Sequence, residues 1–272
     1  MIIDVHTHLD IVLPGVSKNI ENNLRLLLAE MKKSKVDHAF VLASFQKNSR
    51  THPSTSAVLK FVKGLKNIHV VGSLDAMDIK KSELDELEEL LREKKIVAIK
   101  LYPGYQYFYP NDDKCTPIYE LCQKYDVPVM FHSGATLNGV VGQARVKYSH
   151  PLHIDDVAAS FPDLKIVIAH LGNPWLVDCA EVVYKNKNVY ADLSGFFLES
   201  QNDKAYTELM YKRINEFIAY ASGDKLLYGT DWPLTPMTPY IKFVKSLNLK
   251  LIPGALDGAF YRNAIKLFNI NV

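Results

Sequence analysis

The most regular feature of the sequence is an alternation of short apolar runs with longer stretches that read as helices. Eight runs are rich in Val, Ile and Leu, and they cover residues 2–6, 38–43, 68–74, 96–101, 127–132, 165–170, 188–193 and 226–230. Because these runs are nearly continuous in apolar residues, we expect each to form a parallel strand that is buried on both faces.

The intervals between the later runs carry helix signals. Residues 82–93 start with a capping serine and repeat leucine along one stripe, and Pro117 stands at the first turn of another predicted helix. Further helices are predicted over residues 152–161, 174–184, 203–220, 239–247 and 256–268.

Eight strands that alternate with helices predict an α/β fold, a (β/α)8 TIM barrel formed by residues 1–272 as a single domain. The alternative is a doubly wound open sheet. That fold usually has fewer strands and often a Gly-rich turn after the first of them, whereas here the first run ends in His6-Thr7-His8.

Composition narrows the class of protein. The chain has 32 Lys and Arg against 30 Asp and Glu, so it lacks the basic surplus that is typical of a nucleic-acid-binding protein. The three cysteines form no CxxC pair, which argues against a secreted disulfide framework. The start of the sequence does not resemble a signal peptide, and no apolar run is long enough to cross a bilayer. We therefore expect a cytoplasmic protein that acts on a small molecule without a nucleic-acid or membrane partner, and the base rate for soluble enzymes favours a homodimer.

Polar side chains stand where the apolar runs end. In a barrel the carboxyl ends of all strands open at one mouth, and active sites are built there. We therefore expect six side chains from five strands to face a common space, namely His6, His8, Lys100, His132, His170 and Asp231.

Strand alternation makes the first pair informative. His6 and His8 are two positions apart, so both can point inward and bind one metal ion while Thr7 points outward. Asp4 has the same parity and is expected deeper in the barrel, either supporting the site or as a buried, hydrogen-bonded acid. The five remaining histidines lie at strand starts, in loops or near helix starts and are interpreted as structural or solvated, namely His38, His52, His69, His150 and His153.

Lys100 has two functional interpretations, because a lysine at a buried strand end is costly as a cation unless it is paired. One is a carbamylated lysine that bridges two metal ions. The other is a free amine that binds an anionic substrate. The structural alternative is a lysine paired with a neighbouring acid.

Motifs along the whole chain resemble the amidohydrolase superfamily, and more narrowly the amidohydrolase-related branch that includes aminocarboxymuconate-semialdehyde decarboxylase. The resemblance rests on five segments, IDVHTH at residues 3–8, IKLYP at 99–103, FHSG at 131–134, FPDLKIVIAHLG at 161–172 and YGTDWP at 228–233. As a set they are specific for the fold and the metal, but not for the substrate.

The resemblance implies a zinc-type site whose ligands correspond here to His6, His8, His132 and Asp231. One ion is expected, and a second ion bridged by a carbamylated Lys100 is the alternative. His170 corresponds to a ligand of the second metal in binuclear members and contacts the substrate or the reacting water in mononuclear ones. TatD-like nucleases of the superfamily carry Glu at the position of Lys100, and this difference argues against a nuclease function.

Three functions remain open on this basis. The first is hydrolysis of a C–N or C–O bond in a small polar metabolite, with Asp231 accepting the proton of water and His170 polarising the substrate. The second is decarboxylation or hydration of an unsaturated dicarboxylate, with Arg145 pairing with a substrate carboxylate. The third is a non-catalytic metal-binding protein, which a mouth lined with so many potential ligands disfavours.

An aromatic segment, residues 102–110, follows the fourth run and is expected to overhang the mouth. It is interpreted as a lid or a wall for ring stacking that involves Tyr102 and Tyr105, or else as a packed surface loop or subunit contact. Trp232 follows Asp231 directly and is predicted to line the same pocket, with packing under the rim as the alternative.

Overall fold

Eight parallel strands are hydrogen-bonded in chain order in the computed structural model, which describes residues 1–10, 16–46, 49, 51–137, 142–196 and 204–272. The strands are β1 Ile3–Thr7, β2 His38–Leu42, β3 Ile68–Ser73, β4 Ala98–Leu101, β5 Val129–Phe131, β6 Ile166–Ile168, β7 Val189–Asp192 and β8 Leu226–Leu227. Each lies inside or within one residue of the run that predicted it, so the barrel expected from the sequence is confirmed.

Helices follow the strands around the outside of the sheet. They are α1 Ile20–Ser34, α2 Thr55–Phe61, α3 Lys81–Arg92, α4 Thr116–Lys124, α5 Leu152–Ser160, α6 Leu176–Lys185, α7 Lys204–Ala221, α8 Met237–Ser246, α9 Ala255–Asp257 and α10 Asn263–Phe268. Helices α1 and α2 were not predicted from the sequence. The predicted start of α7, at residue 203, lies outside the described residues. The predicted final helix is divided, because a π-helical turn at Gly258–Arg262 separates α9 from α10.

The barrel closes between the two ends of the sheet. The backbone N–H of Val5 donates to the carbonyl of Tyr228 at 3.0 Å, and the N–H of Asp231 donates to the carbonyl of His6 at 2.8 Å. A parallel bridge between Thr7 and Trp232 continues the contact. The segment that follows β8 is therefore held directly against the segment that carries His6 and His8.

Two hydrophobic clusters fill the fold. The larger lies between the strands and the surrounding helices. The smaller fills the barrel interior and includes residues of α10, where the rings of Phe40 and Phe268 meet edge to face at 4.6 Å between centroids. Asn269, just after α10, donates to the carbonyl of Asp126, just before β5, so this helix covers the amino ends of the strands and leaves the opposite end open.

A bulge in β1 changes the expected alternation. Asp4 pairs with Ala39 and Thr7 pairs with Val41, so three steps along β1 match two along β2. As a result the consecutive residues Val5 and His6 both face the interior, Val5 in the interior cluster and His6 in the cavity above it. Asp4 therefore has the same orientation as Ala39, which belongs to the larger cluster between the strands and the helices. It does not face the barrel interior, as strict alternation predicted.

Within the described ranges, no helix combines the length and the apolar character that a membrane span requires.

Candidate metal and active site

A cavity of about 420 Å³ opens at the carboxyl ends of the strands. All six strand-end residues that were expected to face a common space line it, namely His6, His8, Lys100, His132, His170 and Asp231. Their convergence follows from the parallel sheet, which presents the ends of β1, β4, β5, β6 and β8 at one mouth.

The tightest group consists of His6, His8 and Asp231. The Nε2 atom of His6 lies 3.6 Å from Oδ1 of Asp231, and Nε2 of His8 lies 3.3 Å from the same oxygen. One nitrogen from each imidazole and one carboxylate oxygen therefore lie within 4.8 Å of one another, which is close enough for a single metal ion to contact all three.

Asp192, at the end of β7, organises one side of this group. Its Oδ2 lies 2.8 Å from Nδ1 of His6, and its Oδ1 accepts from the backbone N–H of His170 at 2.8 Å and from that of Ser194 at 3.1 Å. Several donors thus surround a carboxylate that is fully buried. Burial opposes ionisation, but the interactions with His6 outweigh it and hold the pKa of Asp192 below its usual range.

Three of the imidazoles at the cavity, those of His6, His132 and His170, are neutral at pH 7. Burial, reinforced by the charge of Lys100, lowers the pKa of His6 to about 3. Burial also lowers the pKa of His132 well below its ordinary value, and that of His170 in the same direction. A neutral imidazole keeps a lone pair on one nitrogen, which is the form that binds metal ions.

His170 is placed by a left-handed turn directly after β6, with φ 60° and ψ 23°. Its ring lies between those of His6 and His132, with centroids 4.8 and 5.1 Å away, and its Nδ1 is 2.7 Å from Oγ of Ser194. Gly195 leaves room for this ring, because a Cβ at that position would come within 2.9 Å of Nδ1 of His170.

His132 follows β5 and lines the same cavity, although it is not part of the tightest group. Its ring packs against Tyr105 with centroids 4.8 Å apart. Among the described residues its buried Nε2 atom has no hydrogen-bond partner. A buried nitrogen without such a partner is unusual, and this atom is available to contact a ligand in the cavity.

Lys100 is 1% exposed and also lines the cavity. Its Nζ lies 5.5 Å from the centre of the Tyr102 ring and has no hydrogen-bond partner in the part of the chain that the structure describes. Burial lowers the pKa of this amine to about 8. The pairing with a neighbouring acid, the structural alternative from the sequence, is therefore absent among those residues.

Asp231 adopts a left-handed backbone with φ 62° and is fixed through its neighbour Thr230. The backbone N–H and the hydroxyl of Thr230 donate to Asp4 at 3.0 and 2.6 Å. Burial disfavours the charged form of Asp231, but the contact with His8 and the charge of His6 outweigh it, and its pKa lies below the usual range. For Asp4 the effect of burial is larger than that of its hydrogen bonds, and it raises the pKa to about 7.

The four residues predicted to contact substrate divide into two pairs. Tyr102 and Tyr105 line the cavity, where the hydroxyl of Tyr102 donates to the carbonyl of Ala43 at 2.7 Å. Arg145 and Trp232 do not line it. Arg145 is exposed, and its guanidinium carbon Cζ lies 4.5 Å from the centre of the Tyr107 ring. The backbone of Trp232 is paired with β1, and its indole packs in the larger hydrophobic cluster.

Four residues that shape the site were not singled out from the sequence as functional, namely Asp10, His52, Asp192 and Ser194. Asp192 could have been found from the sequence, because an acid inside a run that is expected to be buried on both faces requires a partner. His52 was interpreted as structural or solvated, yet it lines the cavity, and its Nδ1 lies 2.7 Å from Oδ1 of Asp10.

Comparisons with known proteins agree with this architecture. An uncharacterised TIM-barrel protein from Bordetella bronchiseptica is 23% identical with a TM-score of 0.75, and 98% of each chain is covered. An amidohydrolase from Burkholderia multivorans with bound zinc is 13% identical with a TM-score of 0.74 over 100% of each chain. The 5-carboxyvanillate decarboxylase of Sphingomonas paucimobilis is 13% identical with a TM-score of 0.67 over 99% of each chain.

These three likenesses show a shared fold. Among curated proteins none matches the sequence. The model of the family described as amidohydrolase matches residues 3–270, almost the whole chain. The resemblance drawn from the motifs is thereby confirmed, and the protein belongs to the amidohydrolase family.

Proposed function

We propose that the protein is a metal-dependent hydrolase that cleaves a C–N or C–O bond of a small polar metabolite. The observation that carries the proposal is the convergence of two imidazole Nε2 atoms on one oxygen of Asp231, at 3.6 and 3.3 Å. Imidazole nitrogens beside a carboxylate form a donor set that suits zinc. Membership of a family of enzymes and the zinc held by the Burkholderia multivorans amidohydrolase support the same proposal.

The residues that would hold the ion are His6, His8 and Asp231, with the unpartnered Nε2 of His132 as the fourth donor. A bound divalent cation supplies Lewis acidity and makes water far more acidic, lowering its pKa from near 16 to about 7. We expect one ion per chain. A second ion bridged by carbamylated Lys100 is the alternative, and elemental analysis of the purified protein separates the two by finding one or two equivalents.

The remaining chemistry belongs to side chains at the cavity. Asp231 is ionised at neutral pH because its pKa is held low, so it can accept a proton from water and return it to the leaving group. His170, neutral and fixed by Asp192 and Ser194, can stabilise negative charge that develops on the substrate oxygen. The phenol rings of Tyr102 and Tyr105 form walls that orient the substrate.

Decarboxylation is the second candidate, and Lys100 is the observation that favours it. Its buried Nζ lacks a hydrogen-bond partner among the described residues and shares the cavity with the imidazoles. A cation in that position would attract a substrate carboxylate, the same role that was expected of Arg145. The fold shared with 5-carboxyvanillate decarboxylase is consistent with such a reaction.

The test begins with zinc-loaded protein and a panel of lactones, amides and aromatic or unsaturated carboxylic acids. Hydrolysis without release of carbon dioxide is the expected result, and release of carbon dioxide would favour the second candidate. In Asp231→Asn, assayed at saturating zinc, turnover should fall about 10²–10⁴-fold because the proton acceptor is lost.

The matched control is Asp155→Asn, which removes a carboxylate that contacts Lys185 and Asn186 and does not line the cavity. Its turnover should equal that of the unmodified protein. Full turnover in zinc-bound Asp231→Asn would exclude the assigned role of Asp231.

A further inference from the structure

Asp10 lies between two imidazoles at the edge of the cavity. Its Oδ1 is 2.7 Å from Nδ1 of His52, and its Oδ2 is 3.4 Å from Nδ1 of His8. All three residues line the cavity, and Asp10 and His52 are 9% and 5% exposed. Each oxygen of one carboxylate is therefore directed to a different histidine.

The contact with His8 bears on the proposed metal ligand through its tautomer. A neutral imidazole carries one N–H, and a carboxylate beside Nδ1 favours the proton on that atom. The lone pair then remains on Nε2, the atom of His8 that faces Asp231 at 3.3 Å. His6 shows a similar but tighter arrangement, with Oδ2 of Asp192 at 2.8 Å from its Nδ1 and Asp231 near its Nε2.

His52 gives Asp10 a fixed orientation. The carboxylate comes from the segment after β1 and His52 from the segment after β2, so their contact joins two neighbouring segments at the mouth. Without that contact the carboxyl group of Asp10 is held less firmly, by the longer contact of 3.4 Å with His8. His52 therefore influences the orientation of His8 indirectly, through Asp10.

We propose that Asp10, held by His52, is a positioning residue that fixes His8 in the tautomer and orientation needed to bind a divalent metal ion. This inference rests on the proposed metal-dependent function. Partners of this kind behind a metal-binding histidine typically change metal affinity about 10–100-fold when they are removed.

An amide at position 10 cannot replace the carboxylate fully. A carboxylate offers an acceptor to each imidazole, whereas asparagine offers one acceptor and one donor and carries no charge. In Asp10→Asn, one of the two histidines would have to change its tautomer or lose its partner. The effect should therefore reach the metal even though the side chain keeps its shape.

The experiment measures metal affinity on metal-free protein by competition with a chromogenic chelator for zinc. The visible spectrum of bound Co²⁺ provides a second readout that reports ligand geometry without any substrate. Asp10→Asn should bind zinc at least about tenfold more weakly and alter the Co²⁺ spectrum. His52→Leu should shift both readouts in the same direction by less, and His52→Asn, whose amide N–H replaces the Nδ1 donor, should restore them.

Asp155→Asn is again the matched control and should leave zinc affinity and the Co²⁺ spectrum unchanged. Unmodified protein that binds zinc while Asp10→Asn binds it equally well, with the same spectrum, would overturn this inference and leave the proposed function standing. Failure of the unmodified protein to bind either metal would overturn both. Should Asp10→Asn not fold, the two His52 variants decide alone, since equal affinities in His52→Leu and His52→Asn would contradict the proposal.

Discussion

At the scale of single residues, Lys100 shows a conflict between folding and function. An amine that is 1% exposed and lacks a hydrogen-bond partner among the described residues destabilises the fold, because the attraction of Asp192 and Asp231 offsets its desolvation only in part. A residue of this kind is expected where a ligand supplies the missing partner, and Lys100 lines the cavity that holds the proposed metal ligands.

Replacement of Lys100 by methionine tests this conflict. Lys100→Met keeps the length of the side chain and removes the buried amine, so the free energy of unfolding should rise by about 1–3 kcal/mol in urea denaturation of the metal-free protein. Turnover of an anionic substrate should fall in the same variant.

The control is Lys124→Met, which removes an exposed lysine paired with Glu88. The free energy of unfolding of that variant should stay close to that of the unmodified protein, because exposed ion pairs contribute little. A loss of stability in Lys100→Met would contradict the idea that the amine is a burden on the fold.

The sequence predicts some of these residues better than others. The histidines and Asp231 stand at the ends of apolar runs, and a parallel barrel brings strand ends together whatever the side chains are. The pair of Asp10 and His52 is different, because the two residues are 42 positions apart in separate connecting segments and no periodicity links them. The places of Arg145 and Trp232 outside the cavity could not be predicted for a related reason, since the direction of a side chain outside a strand depends on local packing.

At the scale of elements, the site depends on irregular backbone where strands end. The bulge in β1 brings His6 to the interior, and left-handed residues follow β6 and β8 at His170 and Asp231. Gly195, after β7, has φ 74° and lies against His170. Regular alternation predicts the strands, but these deviations set the directions of the functional side chains.

Gly195→Ala tests the last of these elements. The left-handed backbone alone should cost about 1–2 kcal/mol of folding free energy. In addition the new Cβ would lie 2.9 Å from Nδ1 of His170, so this ring must move and turnover should fall.

Gly64→Ala separates the two effects. Gly64 has φ 87°, and nothing lies within 4 Å of a Cβ built there. This variant should show a similar loss in thermal or urea unfolding with unchanged turnover. Equal activity in the two variants would mean that Gly195 matters only for the backbone.

At the scale of the whole molecule, the amino end of the barrel contains a second, separate group of histidines. His38 and His69 lie 3.1 Å apart between Nδ1 and Nε2, next to the ring of Phe40. Burial, with the neighbouring His38, lowers the pKa of His69 to about 4. The unfolded chain therefore takes up a proton at this position more readily than the folded chain does.

Stability should consequently fall on acidification. The contribution of His69 is fully present above pH 6.5, the ordinary pKa of histidine, and is lost as the pH falls toward 4. Urea denaturation of the metal-free protein at pH 7 and pH 4 should show that His69→Gln loses about 2–3 kcal/mol less than the unmodified protein. Other titrating groups are common to both proteins, so identical losses would exclude His69 as a source of the pH dependence.

The closure of the barrel between β1 and the segment after β8 also has a consequence for biosynthesis. The hydrogen bonds that seal the sheet join Val5 to Tyr228 and His6 to Asp231, so the residues of β1 leave the ribosome long before their partners do. Until the last strand emerges, β1 keeps an open edge of the kind that recruits other chains. His6 and His8 thus meet Asp231 only after β8 has been made, and a chaperone that shields β1 in the interval would protect the fold and the proposed metal site together.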